Sequence, residues 1–272
     1  MVDMNTGIEP VICEGVIMVN RALSGDTFLM TIDCPEAAAL AAPGRFVKVR
    51  SWAAPEEGGA PLLDRPFSIH HTAGSTLSLL YRVVGPGTAL LSRSPAGSAV
   101  RVSGPFGRGL ADVMEKPAPL YLAGGGIGLA PMRLAMNWAG PDNCLLFYGE
   151  RSGAVQVDEN WLKGWAGDFA AVTEDGSGYG RPGLVTAPLE EALAREPRPI
   201  FTCGPTPMLA AVSSLGQKYG VPVWASVEAG MACGFGVCLT CSLPLADGGR
   251  FRVCQEGPVV DGASVKWELV RS

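Results

Sequence analysis

Four cysteines close together near the C-terminal end constrain this chain more than any other feature. They stand as Cys233-x4-Cys238-x2-Cys241, and twelve residues separate Cys241 from Cys254. The first three spacings match the plant-type run in which four thiolates hold a [2Fe–2S] cluster. Gly234 and Gly236 lie between the first two cysteines and Ala232 precedes them. Small residues let the backbone wrap closely around an inorganic core and turn N–H groups toward its sulfurs. A zinc site of the knuckle type needs two C-x2-C pairs, and only Cys238 and Cys241 have that spacing. A disulfide staple leaves the glycines without a purpose. Cys233, Cys238, Cys241 and Cys254 are therefore expected to ligate iron.

The other four cysteines, Cys13, Cys34, Cys144 and Cys203, are solitary and are read as ordinary buried thiols. A net charge of −5 with no run of Lys or Arg lacks the footprint of a nucleic-acid binder. The longest apolar stretches, such as Pro119–Ala123, are strand-length, far short of the roughly 20 residues a membrane span needs. Met1–Glu9 has no basic n-region, so a cytoplasmic protein without a secretory signal is expected. With 272 residues there is room for two domains and a small appended module.

Up to about residue 115 the chain reads as short apolar runs between turn residues: Val11–Val19, Thr27–Asp33, Phe46–Ser51, Phe67–His71, Thr76–Val83 and Ala99–Ser103. That texture predicts an antiparallel barrel or sandwich, interrupted by one helix at Thr88–Ser92. From Ala118 strands and helices alternate. Strands are expected at Pro119–Ala123, Cys144–Tyr148, Phe169–Thr173, Ile200–Cys203 and Val223–Val227, with helices at Ala130–Trp138, Leu184–Arg195 and Thr206–Tyr219. This is the pattern of a parallel sheet with helices on its faces. Lys116-Pro117 marks the break, and after Ser226 glycines and cysteines replace the repeat. The expected division is 1–115, 116–226 and 227–272.

Two stretches look suited to phosphate and flavin. Arg65-Pro66-Phe67-Ser68 heads a strand, where Arg65 could meet a pyrophosphate and Ser68 the polar edge of a flavin ring. Tyr81-Arg82 is followed by Gly85-Pro86-Gly87-Thr88 and a helix, whose first amides form a site for phosphate. Gly104-Pro105-Phe106-Gly107 reads as a barrel-closing turn. In the second domain Leu120–Ala123 runs into Gly124-Gly125-Gly126-Ile127-Gly128 and then a helix, the setting in which a glycine turn brings the backbone to a dinucleotide. Glu150-Arg151-Ser152 closes the next strand and offers both an acid for a ribose hydroxyl and a cation for a 2′-phosphate, so NAD and NADP both stay open. Cys203-Gly204-Pro205 ends a later strand, placing Cys203 either near a nicotinamide or in the packing. His70 and His71 fall on opposite faces of a strand, and neither is expected to be catalytic. No Ser-His-Asp set or carboxylate pair suggests hydrolysis.

Taken in order, Arg-Pro-x-Ser, Gly-x-Gly-Thr, the glycine turn, Cys203-Gly204-Pro205-Thr206-Pro207-Met208-Leu209, Met231-Ala232-Cys233-Gly234-Phe235-Gly236-Val237-Cys238 and Val253-Cys254-Gln255-Glu256-Gly257-Pro258-Val259 resemble the ferredoxin-reductase superfamily. The closer resemblance is to the electron-transfer subunits of the NAD-dependent type of dihydroorotate dehydrogenase. The short return to Cys254 departs from plant-type ferredoxins, where the fourth cysteine lies much further along. The resemblance implies a multidomain β plus α/β protein: an antiparallel FAD-binding β-barrel, a parallel-sheet NAD-binding domain and a small C-terminal [2Fe–2S] module. It implies flavin contacts at Arg65, Pro66, Phe67, Ser68, Leu80, Tyr81, Arg82, Gly87 and Thr88. The nicotinamide nucleotide is expected at Gly124, Gly125, Gly126, Gly128, Cys203, Gly204 and Pro205. It further implies a partner subunit containing flavin mononucleotide (FMN), in a heterotetramer of two plus two, with NAD as acceptor in pyrimidine synthesis. A ferredoxin–NADP reductase, a sulfide dehydrogenase or a hydrogenase subunit would share most of these motifs. A zinc-stabilised interaction protein would share only the cysteines.

Overall fold

A computed structural model describes residues 9–51, 61–114 and 119–270. The break expected at Lys116-Pro117, and Met1–Glu9 apart from its last residue, lie outside the described residues. Six strands come first: β1 (Val11–Ser24), β2 (Thr27–Asp33), β3 (Phe46–Arg50), β4 (Arg65–Ala73), β5 (Thr76–Arg82) and β6 (Ala99–Phe106). Successive side chains of a strand point to opposite faces. Ile17, Ile32, Val47, Val49, Leu77, Leu79, Tyr81 and Val102 accordingly form one apolar interior. The strands close antiparallel around it in the order β1-β2-β5-β4-β3-β6, a barrel rather than a sandwich. Helix α1 (Pro35–Ala39) was not expected from the sequence; α2 (Pro86–Ser92) begins two residues before the expected Thr88, with Pro86 in its first turn, where a missing N–H costs nothing.

Cys13 and Cys34 correct the expectation of free thiols, because they form a disulfide. Antiparallel pairing sets Val16 of β1 opposite Asp33 of β2, bringing the start of one strand beside the end of the other. Cys144 and Cys203 are buried and free, as expected.

The second region runs β7 (Leu120–Gly125), α3 (Met132–Ala139), β8 (Cys144–Glu150), α4 (Glu159–Lys163), β9 (Phe169–Thr173), β10 (Arg181–Pro182), α5 (Thr186–Arg195), β11 (Ile200–Cys203), α6 (Thr206–Tyr219) and β12 (Val223–Ser226). The strands from β7 to β12 pair in parallel. Leu120 and Leu122 pack with Met132 and Ala135 on one face, while Tyr121 and Ala123 pack with Leu189 and Val212 on the other. Burial on both faces is why these strands read as unbroken apolar runs. The unanticipated α4 is started by Asp158, whose carboxylate accepts the Trp161 N–H at 2.9 Å.

The tail forms β13 (Ser242–Pro244), β14 (Arg250–Arg252) and β15 (Val259–Asp261). β13 and β14 make a hairpin, but β15 pairs antiparallel with β12. The large sheet therefore reads β10-β9-β8-β7-β11-β12-β15. Val227, Leu243, Val253 and Val260 share a core with Phe46 and Phe106 of the barrel and Leu209 of α6. The tail is thus wedged against both larger units. Among the described residues no helix is long and apolar enough to cross a membrane.

The outer face of the barrel docks on the sheet. Leu80 joins the core around Leu120, and Arg82 of β5 donates to the Glu150 carboxylate at 2.8 Å. His70 of β4 is fully buried, its Nδ1 2.8 Å from the Ala130 carbonyl and its ring against Trp161 and Trp165.

Candidate functional site

The four clustered cysteines occupy a loop whose shape depends on glycine. Gly234 and Gly236 have φ of +90° and +79°, a region that side chains with a Cβ rarely enter. Those turns aim backbone amides at sulfur: Gly236 N–H donates to Cys254 Sγ at 3.0 Å and Cys238 N–H to Cys233 Sγ at 3.5 Å. Burial pushes the Cys233 thiol up, but backbone N–H groups of Cys238, Phe235 and Val237 outweigh it and hold the thiol below its ordinary value. Hydrogen bonds with the Cys233 backbone and with Thr240 bring Cys238 down to about 6. Cys254 goes the other way, pushed up to about 12 by burial and then by the neighbouring Cys241. Hydrogen bonds thus favour the thiolate at Cys233 and Cys238, while burial disfavours it at Cys254. That donor set fits a bound iron centre, whose positive charge deprotonates its thiol ligands.

A cleft of about 130 Å³ lies between the barrel and the segments that flank this loop. Pro66, Phe67 and Ser68 of β4 line one side, and Glu228, Met231 and Val253 the other. Arg65 lies across Gly87, where any Cβ would collide with its guanidinium, so Gly87 makes a cradle that β4 and the start of α2 share. The Thr88 hydroxyl accepts the N–H groups of Val84 and Gly85 at 2.9 and 3.2 Å and closes the turn before α2. Tyr81 points into the barrel and donates its hydroxyl to Asn20 at 3.0 Å, whereas Leu80 points into the interface with the sheet. The side chains of Leu80, Tyr81 and Thr88 therefore face away from the cleft or are already engaged, leaving their backbone for a ligand. The segment around Gly104-Pro105-Phe106-Gly107 does more than close the barrel, because Phe106 packs on Phe46 and the Arg108 N–H donates to the Gly257 carbonyl.

The glycine turn and Cys203-Gly204-Pro205 meet at the carboxyl edge of the sheet. β11 pairs with β7 so that Cys203 stands opposite Gly124. A Cβ on Gly128 would run into the Cys203 carbonyl, and one on Gly125 would meet Met208. The turn can lie this close to β11 only because those residues are glycine. Gly126 and Gly204 are half-buried beside it, and Pro205 is exposed. The Cys203 thiol is buried, and that burial, with Glu228 next in effect, pushes it well above its ordinary value, so it stays protonated. Glu150 is engaged through Oε1, which takes the Arg82 guanidinium and the Tyr148 hydroxyl. Burial nevertheless holds its pKa above the ordinary value. Arg151 is exposed at the same strand end.

Glu228 was missed in the sequence. It lines the cleft, and desolvation raises its carboxyl above the ordinary range although the residue is exposed at one side. The available signal was position: an acid two residues beyond β12, at the edge of a parallel sheet where ligands bind.

Residues 228–266 match the family described as the iron–sulfur cluster binding domain of dihydroorotate dehydrogenase B. The electron transfer subunit of dihydroorotate dehydrogenase B (NAD(+)) from Desulforamulus reducens is 34% identical over 94% of this chain and 98% of its own length. That from Clostridium acetobutylicum is 37% identical over 82% of this chain and 85% of its own. In three dimensions an NADH-dependent reduced ferredoxin–NADP oxidoreductase superposes with a TM-score of 0.78 at 24% identity, over 93% of this chain and 90% of the other. A ferredoxin reductase of carbazole 1,9a-dioxygenase gives 0.60 at 20% identity, over 80% and 70%. Barrel, sheet and cysteine loop thus agree with the relatives that span nearly the whole chain: it belongs to the family of electron transfer subunits of dihydroorotate dehydrogenase B, components of an oxidoreductase.

Proposed function

We propose that this chain takes electrons from an FMN-containing catalytic subunit that oxidises dihydroorotate and delivers them to NAD+ in pyrimidine synthesis, in a cytoplasmic heterotetramer of two plus two. The observation that carries the reading is the cleft, which has the flavin motif of β4 on one wall and the base of the cysteine loop on the other. Cys233, Cys238, Cys241 and Cys254 would hold the [2Fe–2S] cluster. Arg65 and the amides at Gly87 and Thr88 would take the FAD pyrophosphate, and Pro66, Phe67 and Ser68 its ring. Gly124 to Gly128 and Cys203 to Pro205 would seat NAD. When bound, a flavin exchanges either one or two electrons, so it belongs between a cluster that moves one and a nicotinamide that moves two.

The chain's own residues supply position and exclusion. Met231 and Val253 keep the wall between flavin strand and cysteine loop apolar. Glu228 lines the same cleft, and desolvation raises its carboxyl above the ordinary range. Phe235, Val237 and Leu239 stand exposed around Cys238, an apolar collar suited to a catalytic subunit that must approach the cluster. The test is a pull-down from the native cell, assayed for dihydroorotate-dependent NAD+ reduction. A complex that reduces NAD+ with sulfide or ferredoxin and ignores dihydroorotate would refute the reading.

A further inference from the structure

Alternation along β3 puts Val47 and Val49 inside the barrel and leaves Phe46 and Lys48 on its outer wall. Lys48 pairs in register with Pro66 of β4 on one side and Ser103 of β6 on the other, so it stands next to the flavin motif. It is only 7% exposed. Its ammonium donates to the carbonyl oxygens of Ala232 at 2.7 Å and Cys233 at 3.1 Å, far away in sequence. A Cβ on Gly234 would lie 2.9 Å from Lys48 Cδ and 3.6 Å from its Nζ, so the glycine gives the lysine its way in.

A buried ammonium is ordinarily matched by a carboxylate. Lys48 has only carbonyl partners, and among the described residues it enters no ion pair. The other cation beside the loop differs. Arg252 lies near Cys254 but is paired with Glu256 at 3.2 Å, which cancels much of its charge.

We propose that Lys48 is a potential-setting and positioning residue for the cluster, its unmatched positive charge held against the Cys233 backbone so as to favour the reduced form. The proposal rests on the reading of the four cysteines as cluster ligands. On reduction one electron enters the cluster and adds one negative charge; Lys48 makes and breaks no bond. A neighbouring fixed charge acts on that step directly, and the buried position of Lys48 limits its screening by solvent.

Charge and hydrogen bonding can be separated. Lys48→Gln keeps a donor and removes the charge, while Lys48→Arg keeps both. In the assembled, cofactor-loaded complex, the cluster is titrated against ambient potential and followed by the electron paramagnetic resonance (EPR) of its reduced form. Lys48→Gln should shift the reduced-to-oxidised ratio at fixed potential about tenfold toward oxidised, about 59 mV for one electron. Lys48→Arg should stay within about twofold of the unsubstituted protein. The proposal is overturned if Lys48→Gln titrates like the unsubstituted protein, if Lys48→Arg shifts as far as Lys48→Gln, or if both variants lose the cluster, which would leave the lysine a clamp. Absence of the signal from the unsubstituted complex would instead refute the cluster reading itself.

Discussion

In β7 every residue from Leu120 to Gly125 is buried, and helices cover both faces of its sheet. The cysteine segment is built differently, with β13, β14 and β15 only three residues each. Two of its thiols, Cys241 and Cys254, are themselves core residues. One region is thus held by apolar packing that its own chain completes. The other takes its order from a seat on the barrel and on α6. A site shaped by packing tolerates loss of its ligand, whereas a site made of ligands does not.

Substitutions on each side sharpen that contrast. The largest effect is expected for Cys238→Ser, which should abolish the iron–sulfur absorption and lower bound iron while most flavin remains, as read from the visible spectrum and iron analysis of the purified complex. Gly128→Ala presses a methyl into the Cys203 carbonyl. It should cost about 2–4 kcal/mol in thermal or denaturant unfolding and weaken NADH binding, with cluster absorption unchanged.

Arg82→Ala strands the Glu150 carboxylate, whose side chain is only 4% exposed. A loss of about 1.5–3 kcal/mol is expected, partly recovered when Glu150→Gln is added, measured as a double-mutant cycle by denaturation. The smallest effect concerns His70. Burial, its main influence, lowers its pKa from 6.5 to about 3. It stays neutral when folded and takes a proton when unfolded. Its contribution is therefore intact above pH 6.5 and is lost progressively as the pH falls from 6.5 toward 3. Between pH 6.5 and 5 this amounts to about 1.5 kcal/mol, and His70→Phe should flatten that part of the stability profile.

The same contrast governs what could be read from the sequence. Cys233-x4-Cys238-x2-Cys241 stood out because its spacing is local in the chain, and it falls within the residues 228–266 that match an iron–sulfur cluster binding domain. Leu120–Gly128 was legible because strand, glycine turn and helix follow one another along the chain. Helices α1 and α4 were missed because five residues give a helical period too little room, and only Asp158 marked the second. β15 was hidden because three residues after a cis Gly257-Pro258 bond carry no strand period, yet they finish the large sheet. Cys13 and Cys34 pair through strand register, which their spacing does not encode. Lys48 and Glu228 belong to no motif, since each gains its place only when the tail folds back on the barrel and the sheet. Arg82 and Glu150 were both singled out, for two separate ligands, and the fold also bonds them to each other across the interface.

The order of carriers is the claim on which the account stands, and the assembled complex carrying Cys238→Ser tests it directly. With NADH and an artificial two-electron dye, the variant should keep most of the unsubstituted rate, because electron exchange between nicotinamide and flavin needs none of the four cysteines. With dihydroorotate and NAD+ its turnover should fall to background. Dihydroorotate-dependent NAD+ reduction at an undiminished rate, in a complex shown to lack iron, would contradict the account.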